Sequence, residues 1–164
     1  IPRVTRWFEI HDLEDLKQQL ATPKKKRWMF DDYMAYLRSL SCPVYMMRRQ
    51  PDIPKSVVFP GLQLVKEFGR CFTCTAAYLI AFAIKLQCRE LGLWGVSLQG
   101  KKYTHQRPVI AYLLGLAKQR GIRIHVPADF PLKIPDKPVF VETELLYAYD
   151  WRLYDAWWRR HLKK

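Results

Sequence analysis

Carboxylates are scarce in this 164-residue chain: 15 Asp and Glu stand against 28 Lys and Arg, for a formal net charge of +13. Residues 91–128 hold no Asp or Glu at all. Hard cations such as magnesium prefer carboxylate oxygens, so no metal-dependent chemistry is expected from that stretch. Long apolar runs are missing too. The best, residues 76–86, stops at Gln87 and is too short to cross a bilayer. Residues 1–12 mix polar and aromatic side chains and lack the pattern of a secretory signal. Cysteine is sparse. Cys71 and Cys74 form one C-x-x-C, while Cys42 and Cys88 stand apart. No second pair, and no His pair at matching spacing, completes a zinc ribbon. A redox pair needs a helix N-terminus to lower a thiol pKa, and Cys74 does precede an apolar stretch. The competing account is that of small buried thiols. There is no internal repeat and no low-complexity tract.

What is present is globular. Hydrophobic residues make up 49% and aromatics 14%, enough for a folded domain with a real core. The basic excess suits anionic partners, whether nucleic acid, nucleotides or an acidic surface. It equally describes a solvated basic surface with no specific partner.

Val4, Arg6, Phe8 and Ile10 alternate with Thr5, Trp7 and Glu9, which predicts a strand. Asp12 caps a helix over 13–20, stopped at Thr22-Pro23. The run 24–27 is basic, most simply a solvated loop. Asp31 and Asp32 open a second helix with Tyr33, Tyr36 and Leu37 on one face. Residues 43–47 predict a short strand. Three prolines (Pro51, Pro54, Pro60) make 50–60 an extended surface connection. A short helix over 62–68 ends at Gly69. Thr73 or Thr75 caps a helix running to about Arg89, apolar nearly all round and therefore buried. Residues 90–96 read as a central parallel strand covered on both faces. Pro108 opens the next helix, with Ile110, Leu113, Leu114 and Leu116 inward. Gly121 closes it, and 122–126 is a strand.

Helix–strand–loop–helix–strand with short connections predicts an α/β fold with a mostly parallel sheet, of Rossmann-like three-layer type. The expected organisation is an α/β domain over 1–127, a proline-rich connection over 128–140 and a helix over 141–164. In that last helix Tyr147, Trp151, Tyr154 and Trp158 form one aromatic stripe beside Arg152, Arg159, Arg160, Lys163 and Lys164. The stripe can dock on the domain's own core, pack on another subunit or protein, or stack on nucleic-acid bases.

Ligands of open parallel sheets bind beyond the carboxyl ends of the strands. That points to the loop 97–107, to the helix start at Thr73–Thr75 and to the loop after Val126. In the first loop Lys101, Lys102 and Arg107 can neutralise phosphates, Arg107 with a planar fork. Tyr103 can donate a hydrogen bond or stack on a base, His105 can act as acid or base, and Ser97, Gln99 and Gln106 add polar groups. The backbone amides at Thr73 and Thr75 suit an anion. His11, at the end of the first strand with Glu9 near it, is a secondary candidate. The opposing reading is an ordinary polar crossover loop with a structural His. No metal ligand set is expected. The expected ligand class is a nucleotide or nucleotide-sugar, as for a glycosyltransferase-like protein; the alternative is a non-catalytic structural or nucleic-acid-binding protein that uses its basic surface and C-terminal helix.

Several stretches carry a resemblance. They are Arg6-Trp7-Phe8-Glu9-Ile10-His11, Cys42-Pro43-Val44-Tyr45-Met46, Ile53-Pro54-Lys55-Ser56-Val57, Phe72-Thr73-Cys74-Thr75-Ala76-Ala77-Tyr78, Glu90-Leu91-Gly92-Leu93-Trp94-Gly95-Val96, Tyr103-Thr104-His105-Gln106-Arg107-Pro108 and Arg120-Gly121-Ile122-Arg123-Ile124-His125-Val126-Pro127. As a set, over about residues 4–127, they resemble a group of uncharacterised bacteriophage proteins. The resemblance implies a host-cytoplasmic or virion-associated protein, with a glycine-rich strand and loop preceding residue 1. More distantly the element order resembles small bacterial sialyltransferases and pterin pyrophosphokinase-like Rossmann proteins. The first of these implies a nucleotide-sugar role for Tyr103 and His105. Those relatives usually show Gly-hydrophobe-Asp at the strand end, where this chain has Gly95-Val96-Ser97, and the missing acid counts against metal or sugar handling.

Overall fold

In the computed structural model, which describes residues 4–20 and 29–150, strands and helices alternate and both sheets are parallel. The chain divides into two units, Ile1–Pro60 and Gly61–Lys164.

The first unit runs β1 (Trp7–Glu9), α1 (Leu13–Leu20), α2 (Phe30–Ser39), β2 (Val44–Met46) and β3 (Ser56–Val58). Its sheet has the order β1-β2-β3. The Glu14 amide donates to Asp12 Oδ1 at 2.9 Å, so Asp12 caps α1 as its side chain predicts. Asp31 and Asp32 in the first turn of α2 and Arg38 in its last complement the helix dipole. Met34 and Leu37 of α2 pack on Val44, Met46 and Ile53, with Trp7, Tyr33 and Tyr36 closing the edge. Residues of β3 add a strand within the expected extended surface connection over 50–60. Pro54 and Pro60 lie outside its three residues and so remove no donor from the ladder. A strand this short shows no period in the sequence. Ser56 secures the loop leading into it: the Gln50 amide donates to Ser56 Oγ at 3.0 Å, and Oγ donates to the Gln50 carbonyl at 2.9 Å.

The second unit contains α3 (Gly61–Phe68), α4 (Thr75–Lys85), β4 (Glu90–Gly92), a 3-10 turn (Lys101–Tyr103), α5 (Arg107–Gln119) and β5 (Arg123–His125). Its core lies between α4 and α5. Ala77, Ile80, Ala81 and Ile84 are buried on α4, and Val109, Ile110, Leu113, Leu114 and Ala117 on α5. The Phe72 and Tyr78 rings stack with centroids 4.2 Å apart. Leu116 is only half-buried. Pro108 sits in the first turn of α5, where a missing N–H costs nothing. Gly69 (φ +83°) and Gly121 (φ +78°) end α3 and α5 in the left-handed region, as expected.

Four expectations change. Helix α4 stops at Lys85 rather than Arg89, because Gln87 takes φ +52° and leads the chain out of the helix. Its N-cap is Cys74, not either threonine. The central strand over 90–96 shrinks to β4, paired only with β5 among the described residues, and its Glu90 and Gly92 are exposed. The Leu93 amide still reaches the His125 carbonyl at 2.9 Å, after which Gly95 (φ +73°) turns the chain away and Trp94 is left 69% exposed. Last, residues 141–150 are not helical. The Thr143 and Tyr147 amides donate to the carbonyls of Arg70 (2.7 Å) and Phe72 (3.0 Å), so an irregular segment of bends and turns lies along the approach to α4 in place of a helix. Residues 127–138 have no regular structure, as their prolines predict. The basic run 24–27 and Trp151, Tyr154 and Trp158 lie outside the described residues.

Candidate functional site

The carboxyl ends of β4 and β5 open into a cleft of about 270 Å³. One wall is the chain leaving β4, with Gly95, Ser97, Leu98 and Gln99; the other is the loop after β5, with Asp129 and Phe130. The cleft forms because both strands run the same way and both chains must turn off the sheet at the same edge. Ser97 and Gln99 are exposed at its rim and Leu98 is buried beneath them. Asp129 is the residue that the sequence reading missed. The acid-free stretch ends one residue before it, and only the pairing of β4 with β5 brings it across from Ser97. Hydroxyl, amide, carboxylate and aromatic ring together suit a nucleoside: a carboxylate accepts from sugar hydroxyls or an exocyclic amine, and a ring stacks on a base.

Thr73 and His105 meet elsewhere. They line a second cavity, about 360 Å³, with Cys71, Pro108, Val109 and the segment 141–145. The same loop thus serves two spaces, Ser97 and Gln99 in one and His105 in the other. Glu142 and Glu144 also line the second cavity, so its electrostatics disfavour the phosphate expected at the start of α4. Cys74, as N-cap of α4, places its thiol by the Ala76 and Ala77 amides. Thr75 is the first helical residue and half-buried.

Arg107 has a different employment from the expected phosphate clamp. Its Nε donates to the Leu98 carbonyl at 2.8 Å and an Nη to the Gly100 carbonyl at 3.3 Å. The guanidinium braces the loop between the two spaces. Lys101 is exposed in the 3-10 turn, which also contains Lys102. Tyr103 and Gln106 are half-buried, and the Gln106 amide donates to the Tyr103 carbonyl at 3.0 Å.

In the first unit His11 follows the last residues of β1, and Glu9 is indeed its partner. The imidazole Nδ1 lies 2.5 Å from Glu9 Oε1, which also accepts from the His11 amide at 3.1 Å. Tyr33 donates its hydroxyl to Glu9 Oε2, and Trp7 Nε1 donates to Tyr33 Oη at 3.3 Å. Glu9 is only 6% exposed. Burial pushes its carboxyl pKa up, but the bonds and charge of His11 together with the Tyr33 hydroxyl outweigh that and hold it below the usual carboxylate value. Burial, followed by the neighbouring Glu9 charge, pushes the Tyr33 phenol well up.

The thiols favour the structural account. Burial pushes Cys71 up to about 12 and Cys74 up to about 11, the latter against the pull of the Ala77 and Ala76 amides and the Thr73 side chain. Among the described residues no group of three His, Cys, Asp or Glu side chains is placed to hold a metal ion, and no helix is long and apolar enough to cross a membrane. Comparison with family models, curated proteins and solved structures finds no match to this chain.

Proposed function

We propose that the chain binds a nucleotide or nucleotide-sugar in the cleft at the carboxyl ends of β4 and β5, within a Rossmann-like arrangement. The observation that carries the reading is the meeting of Ser97, Gln99, Asp129 and Phe130 from two loops at that edge. Asp129 supplies acceptors for sugar hydroxyls or a base amine. Phe130 supplies a stacking face, Ser97 and Gln99 flank the rest, and the +13 charge draws the phosphates in. Lys101 is an exposed cation on the same loop.

The test is thermal unfolding of the full chain against nucleosides, nucleotides and nucleotide-sugars. A ligand at a hundred to a thousand times its Kd stabilises the fold by about 2–4 kcal/mol. The expected outcome is a shift with one nucleotide class that disappears in Asp129→Asn and in Phe130→Ala. Arg107→Ala discriminates poorly, because it also releases the loop. Absence of a shift with every nucleotide class rejects the proposal.

A further inference from the structure

We propose that the cavity walled by Cys71, Val109 and the segment 141–145 binds a small organic cation, an ammonium head on an apolar body. It shares no lining residue with the β4–β5 cleft and does not rest on the reading given for that cleft.

Size and walls supply the first reason. A volume of about 360 Å³ lies within the range of small-ligand sites, roughly 300–1,000 Å³. Cys71 and Val109 are buried, and Val141 and Leu145 add apolar surface from the crossing segment. Burial pushes the Cys71 thiol up to about 12, so it stays neutral and packs as a small hydrophobe. Walls of this kind accept the apolar body of a ligand.

Charge supplies the second reason. Glu142 and Glu144, both exposed, border the same space. Other carboxylates of this unit are matched by the abundant cations: Glu67 by Lys85 and Arg120, Glu90 by Arg123, Asp136 by Lys118 and Asp150 by Arg70. Among the described residues no ion pair reaches Glu142 or Glu144. Arg70 is the instructive case. It donates to the Glu144 backbone carbonyl at 2.9 Å, yet its ion pair, at 3.5 Å, goes to Asp150. The Thr143 amide, bonded to the Arg70 carbonyl at 2.7 Å, holds the chain between the two glutamates. Backbone bonds therefore keep both carboxylates beside the cavity.

An anion is the competing occupant, because α4 and α5 begin near the cavity and helix N-termini attract negative charge. Those ends are already engaged. The Cys74 thiol lies by the Ala76 and Ala77 amides, the Ile110 amide donates to the Gln106 carbonyl at 3.2 Å, and Pro108 has no N–H to offer. With those donors used and two carboxylates at the border, the local field favours a cation.

The experiment is a methyl-resolved NMR titration of the full chain with phenethylammonium, set against neutral phenethyl alcohol and anionic phenylacetate at matched ionic strength. The three probes share one ring and differ in the charge of the head. The Val109, Val141 and Leu145 methyl signals should move saturably with the ammonium, with a Kd on the order of 1 mM for so few heavy atoms. The alcohol should bind about threefold or more weakly, and phenylacetate should leave the signals in place. Glu142→Gln combined with Glu144→Gln, on exposed side chains, should bring the ammonium level with the alcohol, while methyl signals elsewhere stay put and report an intact fold. Signals that ignore the ammonium into the tens of millimolar, that follow the alcohol or phenylacetate equally, or that respond undiminished in the double variant overturn the proposal.

Discussion

At the scale of single residues, Glu9 carries the sharpest consequence. Its carboxyl sits below its ordinary value of 4.5 in the folded state, so in acid the unfolded chain binds more protons than the folded one. The stability that Glu9 contributes is therefore complete above about pH 4.5 and is lost as the pH falls through the folded value. Urea unfolding of wild type and Glu9→Gln between pH 7 and pH 3 checks this. The wild type should lose stability more steeply below pH 4.5, and parallel pH profiles would show that Glu9 contributes nothing to the slope. The residue types at issue were legible in the sequence, since His11 and Glu9 stand two apart on a predicted strand. The bond of Glu9 to Tyr33 was not, because it requires α2 to pack beside β1. Arg107 teaches the converse. A guanidinium after a strand reads as a phosphate ligand, yet here Arg107 donates to the carbonyls of Leu98 and Gly100.

At the scale of elements, α5 is fixed by what lies over it. A Cβ added at Gly115 would meet Pro135 Cγ and the Pro135 carbonyl oxygen at 2.9 Å and Pro138 Cβ at 3.0 Å. The segment carrying those prolines has no regular structure, but it closes on the helix. Gly115→Ala gains about 1 kcal/mol of helix propensity and loses about 1–3 kcal/mol by forcing rigid neighbours apart. A net destabilisation of about 1 kcal/mol in denaturant unfolding is expected; a stabilised variant would show that the proline segment yields freely. Helices were the readable part of the fold. Asp12 before α1, Gly69 after α3 and Gly121 after α5 announce their ends through local chemistry. Strands were less readable. The apolar run 90–96 looks like a strand with neighbours on both sides, but apolar character reports a preference for burial and does not supply the neighbours. The opposite error occurred at β3, where prolines concealed three residues that satisfy their ladder between them.

At the scale of the whole molecule, charge acts independently of any one site. With +13, the chain should attract a short DNA duplex, and the interaction should be dominated by counterion release. If about six phosphates are engaged, affinity should drop by ~10³-fold between about 50 and 200 mM salt. Fluorescence anisotropy across that range measures the slope. A steep slope without sequence preference identifies a general steering field, whereas sequence-dependent binding that survives about 200 mM salt would favour nucleic acid as the partner over the proposed nucleotide.

Taken alone, the sequence determined the alternation of helix and strand, the parallel sense implied by short crossovers, and the burial of α4 and α5. All of these depend on neighbours close along the chain: caps, turns, hydrophobic period. The tertiary structure decided which distant groups meet. It brought Ser97 and Asp129 to one cleft at the ends of two strands, gave Thr73 and His105 to a different cavity from Ser97 and Gln99, and drew residues 143–147 out of a helix and onto the approach to α4. Each depends on free energy gained only when remote segments touch, whether a hydrogen bond completed, a carboxylate desolvated with its partners or a ring stacked, and no local pattern records that gain.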